Sequence, residues 1–193
     1  MTCILGLLTQ DLAVIGADQR ETSGPALVSD RVSKMVTAGD WRIGCAGTAR
    51  TTYVLRAAAM ELATAAGIFE LGIAMREALA RDGFVGALQK DEHCGAPQWD
   101  GEWIVAGGPP MGVWQLDACF CPTQLDPGRP IGAGSGQRHA EGACLALLEQ
   151  GVEPVAAVRR AVEIACLYMP GCGGAPAVTA LARPAGLSLP GDC

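Results

Sequence analysis

Residues 2–18 read TCILGLLTQDLAVIGAD. Two apolar runs, residues 3–9 and 12–18, are divided by Gln10–Asp11, which is the pattern of a β-hairpin. Folded about Gln10, the hairpin sets position 2 opposite position 18, so a carboxylate, Asp18, is expected beside the start of the chain. A second hairpin is expected where residues 34–38 meet 41–46 across Gly39–Asp40, a dipeptide suited to the positive φ of tight turns. The period then changes. Residues 48–66, rich in Ala, Leu and Met, predict a helix, and 71–81 a shorter one before Asp82–Gly83. Strands return at 102–106, 111–117 and 129–136. Two helices follow, the first with Ala140, Cys144, Leu147 and Leu148 on one face and Gly151 at its end. The second covers 153–168 through Val155, Val158, Val162 and Cys166. Residues 175–183 and 187–189 close the chain as strands. Blocks of strands alternating with pairs of helices predict an α+β architecture, antiparallel sheets with helices packed outside, in a single domain over 1–193.

Composition limits the function. The chain has 193 residues, half of them hydrophobic and 18% charged, which excludes disorder as the overall state. A net charge of −6 argues against a partner bound through phosphate neutralisation, so no nucleic acid is expected. The most apolar long stretch, residues 57–75, carries Glu61 and Glu70, so no membrane span is expected. The first basic residue is Arg20, leaving no charged region of a signal peptide. Nine cysteines, an odd count set mostly in apolar runs, read as small core residues in a reduced, cytoplasmic setting.

The chemistry begins at Thr2. A small second residue permits removal of Met1, which would leave a hydroxyl nucleophile and an α-amine base on one residue. An α-amine titrates near about 7.7–8.0, so it can accept a proton close to neutrality. Lys34 opens the third strand and is one of only two lysines, with Lys90, against twelve arginines. Its charge beside the amine would disfavour protonation of that amine, and Asp18 would hold the lysine in place.

Thr2, Asp18 and Lys34, spaced sixteen and sixteen, resemble the proteasome β-type peptidases, including the HslV branch, among the N-terminal-nucleophile hydrolases. The resemblance extends through residues 14–18 (VIGAD), 43–47 (IGCAG) and 131–136 (IGAGSG). It implies a four-layer αββα sandwich and a threonine endopeptidase. Thr2 would be the nucleophile, Asp18 and Lys34 its supports, and the Gly44 N–H the oxyanion donor. It also makes Arg42 a specificity-pocket position, where an arginine would favour an acidic side chain. Ala46 and Glu21 join Arg42 as candidate substrate-binding residues. The partners implied are further copies of the chain in rings, an ATP-driven unfoldase and polypeptide substrates, with no cofactor. Two departures stand out. Ala133 replaces the family's serine, with Ser135 displaced by two, and Met169 and Cys172 replace an Asp and a Ser before Gly173–Gly174. These departures motivate an alternative, a non-catalytic assembly subunit that keeps the fold. An N-terminal-nucleophile amidase acting on a small molecule is a third reading.

Other motifs carry less. His93–Cys94 with Cys119 and Cys121, expected on one strand face, lack the spacing of a structural zinc site, so no metal is expected. The Gly-rich 132–136 segment lacks the ending of a phosphate loop. His139 reads as a surface or capping residue. Trp41, Trp99, Trp103 and Trp114 read as core or subunit contacts.

Overall fold

The computed structural model describes residues 1–23, 26–83, 89–90, 97–99 and 101–183. The elements run β1 (Ile4–Leu8), β2 (Leu12–Ala17), β3 (Glu21–Ser23), β4 (Ala26–Ser29), β5 (Met35–Ala38) and β6 (Trp41–Gly47). Then come α1 (Ala49–Ala57), α2 (Ala59–Leu62) and α3 (Ile68–Arg81). These are followed by β7 (Gln89–Lys90), β8 (Pro97–Gln98), β9 (Gly101–Gly107), β10 (Gly112–Leu116), β11 (Pro122–Gln124) and β12 (Ile131–Ala133). The chain continues with α4 (Gln137–Glu149), α5 (Pro154–Tyr168) and β13 (Ala177–Ala182). The strand expected at 187–189 lies outside the described residues.

Two large antiparallel sheets form among the described residues, ordered β12-β1-β2-β13 and β11-β10-β9-β6-β5, beside the two-stranded ribbons β3-β4 and β7-β8. Alternation along each strand builds three apolar layers. Ile4, Leu8, Ala13, Ile15, Ile104, Ala106 and Val113 meet between the sheets. Cys3, Leu5, Leu7 and Val14 turn the other way, onto Ala140, Cys144, Ala157, Val158 and Val162 of α4 and α5. Trp41, Ile43, Cys45, Trp103 and Val105 pack on Leu55, Leu62, Leu71, Met75 and Leu79 of α1–α3. The result is an αββα sandwich. All four tryptophans lie in the layer beneath α1–α3.

Two glycines set how closely the sheets approach. A Cβ on Gly44 would stand 2.5 Å from Ile4 Cγ2 and 3.1 Å from Ile15 Cδ1. A Cβ on Gly6 would stand 2.5 Å from Ile104 Cγ2.

Local details depart from the sequence reading. The first hairpin pairs Ile4 with Ala17 and Leu8 with Ala13. Its axis therefore falls between Gln10 and Asp11, not on Gln10. Thr9 closes the turn: its N–H donates to Leu12 O at 2.8 Å, and its Oγ1 accepts from Leu12 N at 3.0 Å. Asp18 consequently stands opposite Cys3, whose carbonyl accepts its N–H at 3.0 Å. A slip of one residue changes which face a strand position occupies. The helix expected over 48–66 is interrupted at Ala58 (φ −86°, ψ 5°). Beyond the interruption the chain packs Ala63 against Gly39 of the second hairpin, within 3.1 Å of where a Cβ would sit. The next helix starts three residues early because Glu70 reaches back to accept the Ala66 N–H at 2.8 Å. The ribbon of β3 with β4, and strand β11, are too short for alternation to reveal.

Candidate active site

The site forms where β1 and β5 begin and β6 ends. Lys34 Nζ donates to Asp18 Oδ1 at 2.8 Å and Oδ2 at 3.0 Å, and to the Met1 carbonyl at 2.9 Å. Asp18 is fully buried and Lys34 is 7% exposed. The Asp18 carboxylate also accepts backbone N–H groups from Cys3 at 2.8 Å, Arg20 at 3.2 Å and Gly173 at 3.0 Å. A buried carboxylate with this many donors and a cation is fully compensated. Thr2 is therefore tied to the ion pair through its two neighbours: Met1 offers the carbonyl to Lys34, and Cys3 offers its N–H to Asp18.

Ser135 closes the arrangement from the other side of the chain. The Thr2 N–H donates to Ser135 Oγ at 3.3 Å, and Ser135 Oγ lies 3.4 Å from the Thr2 carbonyl. The Gly136 N–H donates to the same carbonyl at 3.1 Å. Gly134 makes the approach feasible. Its φ is +84°, and a Cβ there would stand 2.5 Å from Thr2 O. The Gly-rich 132–136 turn thus grips the first residues of β1. Ala133, where the resemblance expects a serine, is buried and paired with Ile4. Cys172 Sγ lies 3.8 Å from Ser135 Oγ.

Arg20 fastens the surrounding loops. It donates Nε to Asp30 Oδ1 at 2.6 Å, Nη2 to Asp30 Oδ2 at 3.2 Å and Nη1 to Pro170 O at 3.0 Å. The hydrogen bond between them raises the Arg20 pKa and lowers that of Asp30. The thiols near the site stay protonated. Burial pushes Cys45 up to about 12 and raises Cys3 and Cys172 as well. None offers a thiolate at neutral pH.

A cavity of about 80 Å³ opens beside Thr2, bounded among others by Glu21, Lys34, Cys45, Gly47 and Thr52. Glu21 of the expected substrate-binding set lines it. Arg42 and Ala46 do not. Arg42 sits at the hairpin end of β6, where its Nη1 donates to Gly39 O at 2.7 Å and Trp41 O at 2.9 Å. That placement removes the basis for an acidic preference. Ala46 is buried between the sheets. Gly44 is also away from the cavity. The Cys45 N–H donates to Lys34 O at 2.9 Å, on the β5 side. Backbone groups alternate along a strand, so the Gly44 N–H turns toward β9, where Gly44 is registered with Ile104. The Gly47 N–H turns the same way as that of Cys45. Because β5 starts only at Met35, it lies past the end of that strand, at the cavity wall.

Sequence reading missed the backbone N–H of Gly173, the contact of Ser135 with Thr2 and the place of Gly47. The G-x-G-x-G run at 132–136 was the available signal for Ser135. Cys119 and Cys121 lie not on a strand but in a turn about Phe120 (φ +64°), and both N–H groups donate to Asp117 Oδ1 at 2.9 Å. Among the described residues no group of three His, Cys, Asp or Glu is placed to hold a metal ion. His93, Cys94 and Lys90 are not among the described side chains. His139 stacks on Tyr168 with ring centroids 5.4 Å apart. No helix among the described residues is long and apolar enough to cross a membrane.

No family model and no curated protein matches the sequence. Solved structures match its fold. Thiobacillus denitrificans BPH superposes with a TM-score of 0.77 at 18% identity, covering 95% of this chain and 99% of that one. The same protein in complex with epoxomicin gives 0.72 at 18%, covering 94% and 99%. Eukaryotic HslV from Trypanosoma brucei gives 0.67 at 19%, covering 94% and 99%. The four layers, their strand order and this likeness over nearly the whole of both chains together give the protein the proteasome-β/HslV-like fold of the N-terminal-nucleophile hydrolases.

Proposed function

We propose that the chain is the catalytic subunit of a threonine-type, self-compartmentalising endopeptidase, with Thr2 as nucleophile after loss of Met1. The observation that carries this reading is the junction at Thr2. A buried Lys34–Asp18 pair lies one peptide group away, and Ser135 is already hydrogen-bonded to the nitrogen that becomes the α-amine. The amine takes the Thr2 hydroxyl proton as Oγ attacks the substrate carbonyl carbon. The oxygen of the tetrahedral intermediate is received by the Gly47 N–H, to which we reassign the role first given to Gly44. The peptide C–N bond breaks, the leaving amine takes the proton from the Thr2 ammonium, and an ester remains on Oγ. Water, deprotonated by the same amine, opens the ester and restores Thr2. Departure of Met1 also releases the Lys34 donor now spent on its carbonyl, at the point where charge develops.

Assembly into rings fed by an unfoldase belongs to the same proposal. Several separate apolar surfaces support it: Met60 and Phe69 at the α1–α3 layer, Leu167 and Tyr168 at the end of α5, and Leu27 and Val28 on β4. Copies of the chain would cover them. The alternative, a non-catalytic subunit with this fold, draws on one observation. Ala133 and Cys172, both buried, stand where the resemblance expects serines, and Cys172 Sγ lies 3.8 Å from Ser135 Oγ.

Intact mass and epoxomicin separate the two readings. The catalytic reading expects a chain lacking Met1 that gains one epoxomicin adduct on Thr2, and none in Thr2→Ala. A chain that keeps Met1 and takes no adduct is the non-catalytic subunit.

A further inference from the structure

We propose that the cavity beside Thr2 selects a basic side chain, lysine or arginine, at the residue whose carbonyl is attacked; this rests on the peptidase reading above. Three charged residues line that cavity: Arg20, Glu21 and Lys34. Both cations are already neutralised, Arg20 by both oxygens of Asp30 and Lys34 by both oxygens of Asp18. Glu21 has no ion pair or side-chain hydrogen bond among the described residues, so its carboxylate is the uncompensated charge on the wall. Arg56 is not part of the lining; its Nη2 donates to Ser33 O at 2.9 Å and its guanidinium lies 5.7 Å from the Tyr53 ring centroid.

The remaining walls agree with a polar guest. Thr22, Ser33, Thr48 and Thr52 contribute small hydroxyl side chains, and the floor is Cys45, 4% exposed. A cationic guest lays its aliphatic stem along these small groups and brings its charge to Glu21. An acidic guest meets an unopposed carboxylate and is repelled. An apolar guest of the same length gains no ion pair and leaves Glu21 partly desolvated. Selectivity thus comes from attraction of one class and rejection of another.

Binding measures this without catalysis. Fluorescent tetrapeptides that differ only in a C-terminal Arg, Leu or Glu are titrated into assembled Thr2→Ala protein. The Arg peptide binds tightest and the Glu peptide weakest. Adding Glu21→Gln weakens the Arg peptide about tenfold and moves the Leu peptide less than about twofold, the size of one charge-assisted contact. Glu21→Lys reverses the order, favouring the Glu peptide, which a fold defect does not produce. Equal affinity for Arg and Leu peptides, an Arg affinity untouched by Glu21→Gln, or no binding by any peptide overturns the inference. Epoxomicin labelling of Thr2 in the parent protein reports the peptidase reading separately, so either can fail without the other.

Discussion

Replacing Asp18 by asparagine tests the physical centre of the site. The side chain keeps its shape, but one acceptor oxygen becomes an NH2 donor and the charge disappears. Three backbone N–H groups and the Lys34 ammonium converge on this carboxylate, and the residue is fully buried. The amide nitrogen must then face a donor whichever way it turns. Lys34, 7% exposed, is left as a buried cation without its counter-charge. Breaking a buried ion pair from one side costs about 3–5 kcal/mol. For a chain of this length that corresponds to a fall in Tm of roughly 6–20 °C. The double variant Asp18→Asn/Lys34→Met removes the orphaned charge as well and is expected to recover at least about 2 kcal/mol, since the loss lies in the unpaired ion more than in the missing attraction. Thermal denaturation of parent, both single variants and the double variant closes the cycle. A single Asp18→Asn variant melting within about 3 °C of the parent, or a double variant no more stable than the single, would refute the reasoning.

Three further outcomes follow from other parts of the molecule. Gly44→Ala pushes a methyl group to 2.5 Å from Ile4 Cγ2, so it is expected to cost about 1–3 kcal/mol by overpacking between the sheets. Ile4→Val in the same chain should return part of that loss in a denaturant titration. Ser135→Ala removes the partner of the Thr2 nitrogen and is expected to lower kcat about 10–100-fold with KM nearly unchanged, while Tm falls by no more than about 4 °C. An equal loss in KM alone would place Ser135 in substrate binding instead. Cys45 supplies a pH signature. Its folded pKa is raised to about 12, above the unfolded value near about 8.5, so its contribution to stability is full below pH ~8.5 and is lost as pH rises toward 12. Cys45→Ala should flatten the fall of unfolding free energy between pH ~9 and ~11 by up to about 1.4 kcal/mol per pH unit. An unchanged alkaline slope counts against a neutral buried thiol.

Much of the layer order was legible because it depends on neighbours in sequence. Alternation in β1 and β2, the Gly39–Asp40 turn and the stop at Gly151 are local, and each appears where the sequence sets it. The interruption at Ala58 was not legible, because small helix-forming residues flank it and only packing on the second hairpin shows why the chain bends. At the site, Thr2, Asp18 and Lys34 were identifiable by their spacing along two successive hairpins, and the structure brings them together. Their exact relation was not. The pairing of Asp18 with Cys3 rather than Thr2 follows from how Thr9 closes a two-residue turn, a geometry that counting from Gln10 does not capture.

The amino-acid order by itself thus determined which segments become strands and helices, and that a hydroxyl, a carboxylate and an ammonium gather at the chain start. Tertiary structure alone decided what completes them. Ser135 reaches the Thr2 nitrogen across 133 positions, and the Gly173 N–H reaches Asp18 across 155. It also turned Gly44 into the space between the sheets, set Gly47 at the cavity and carried Arg42 to the far end of its strand. Local periodicity fixes the direction a side chain takes from its own backbone. Which distant groups it meets depends on how two sheets and two helix layers close on one another, and only the packed chain contains that information.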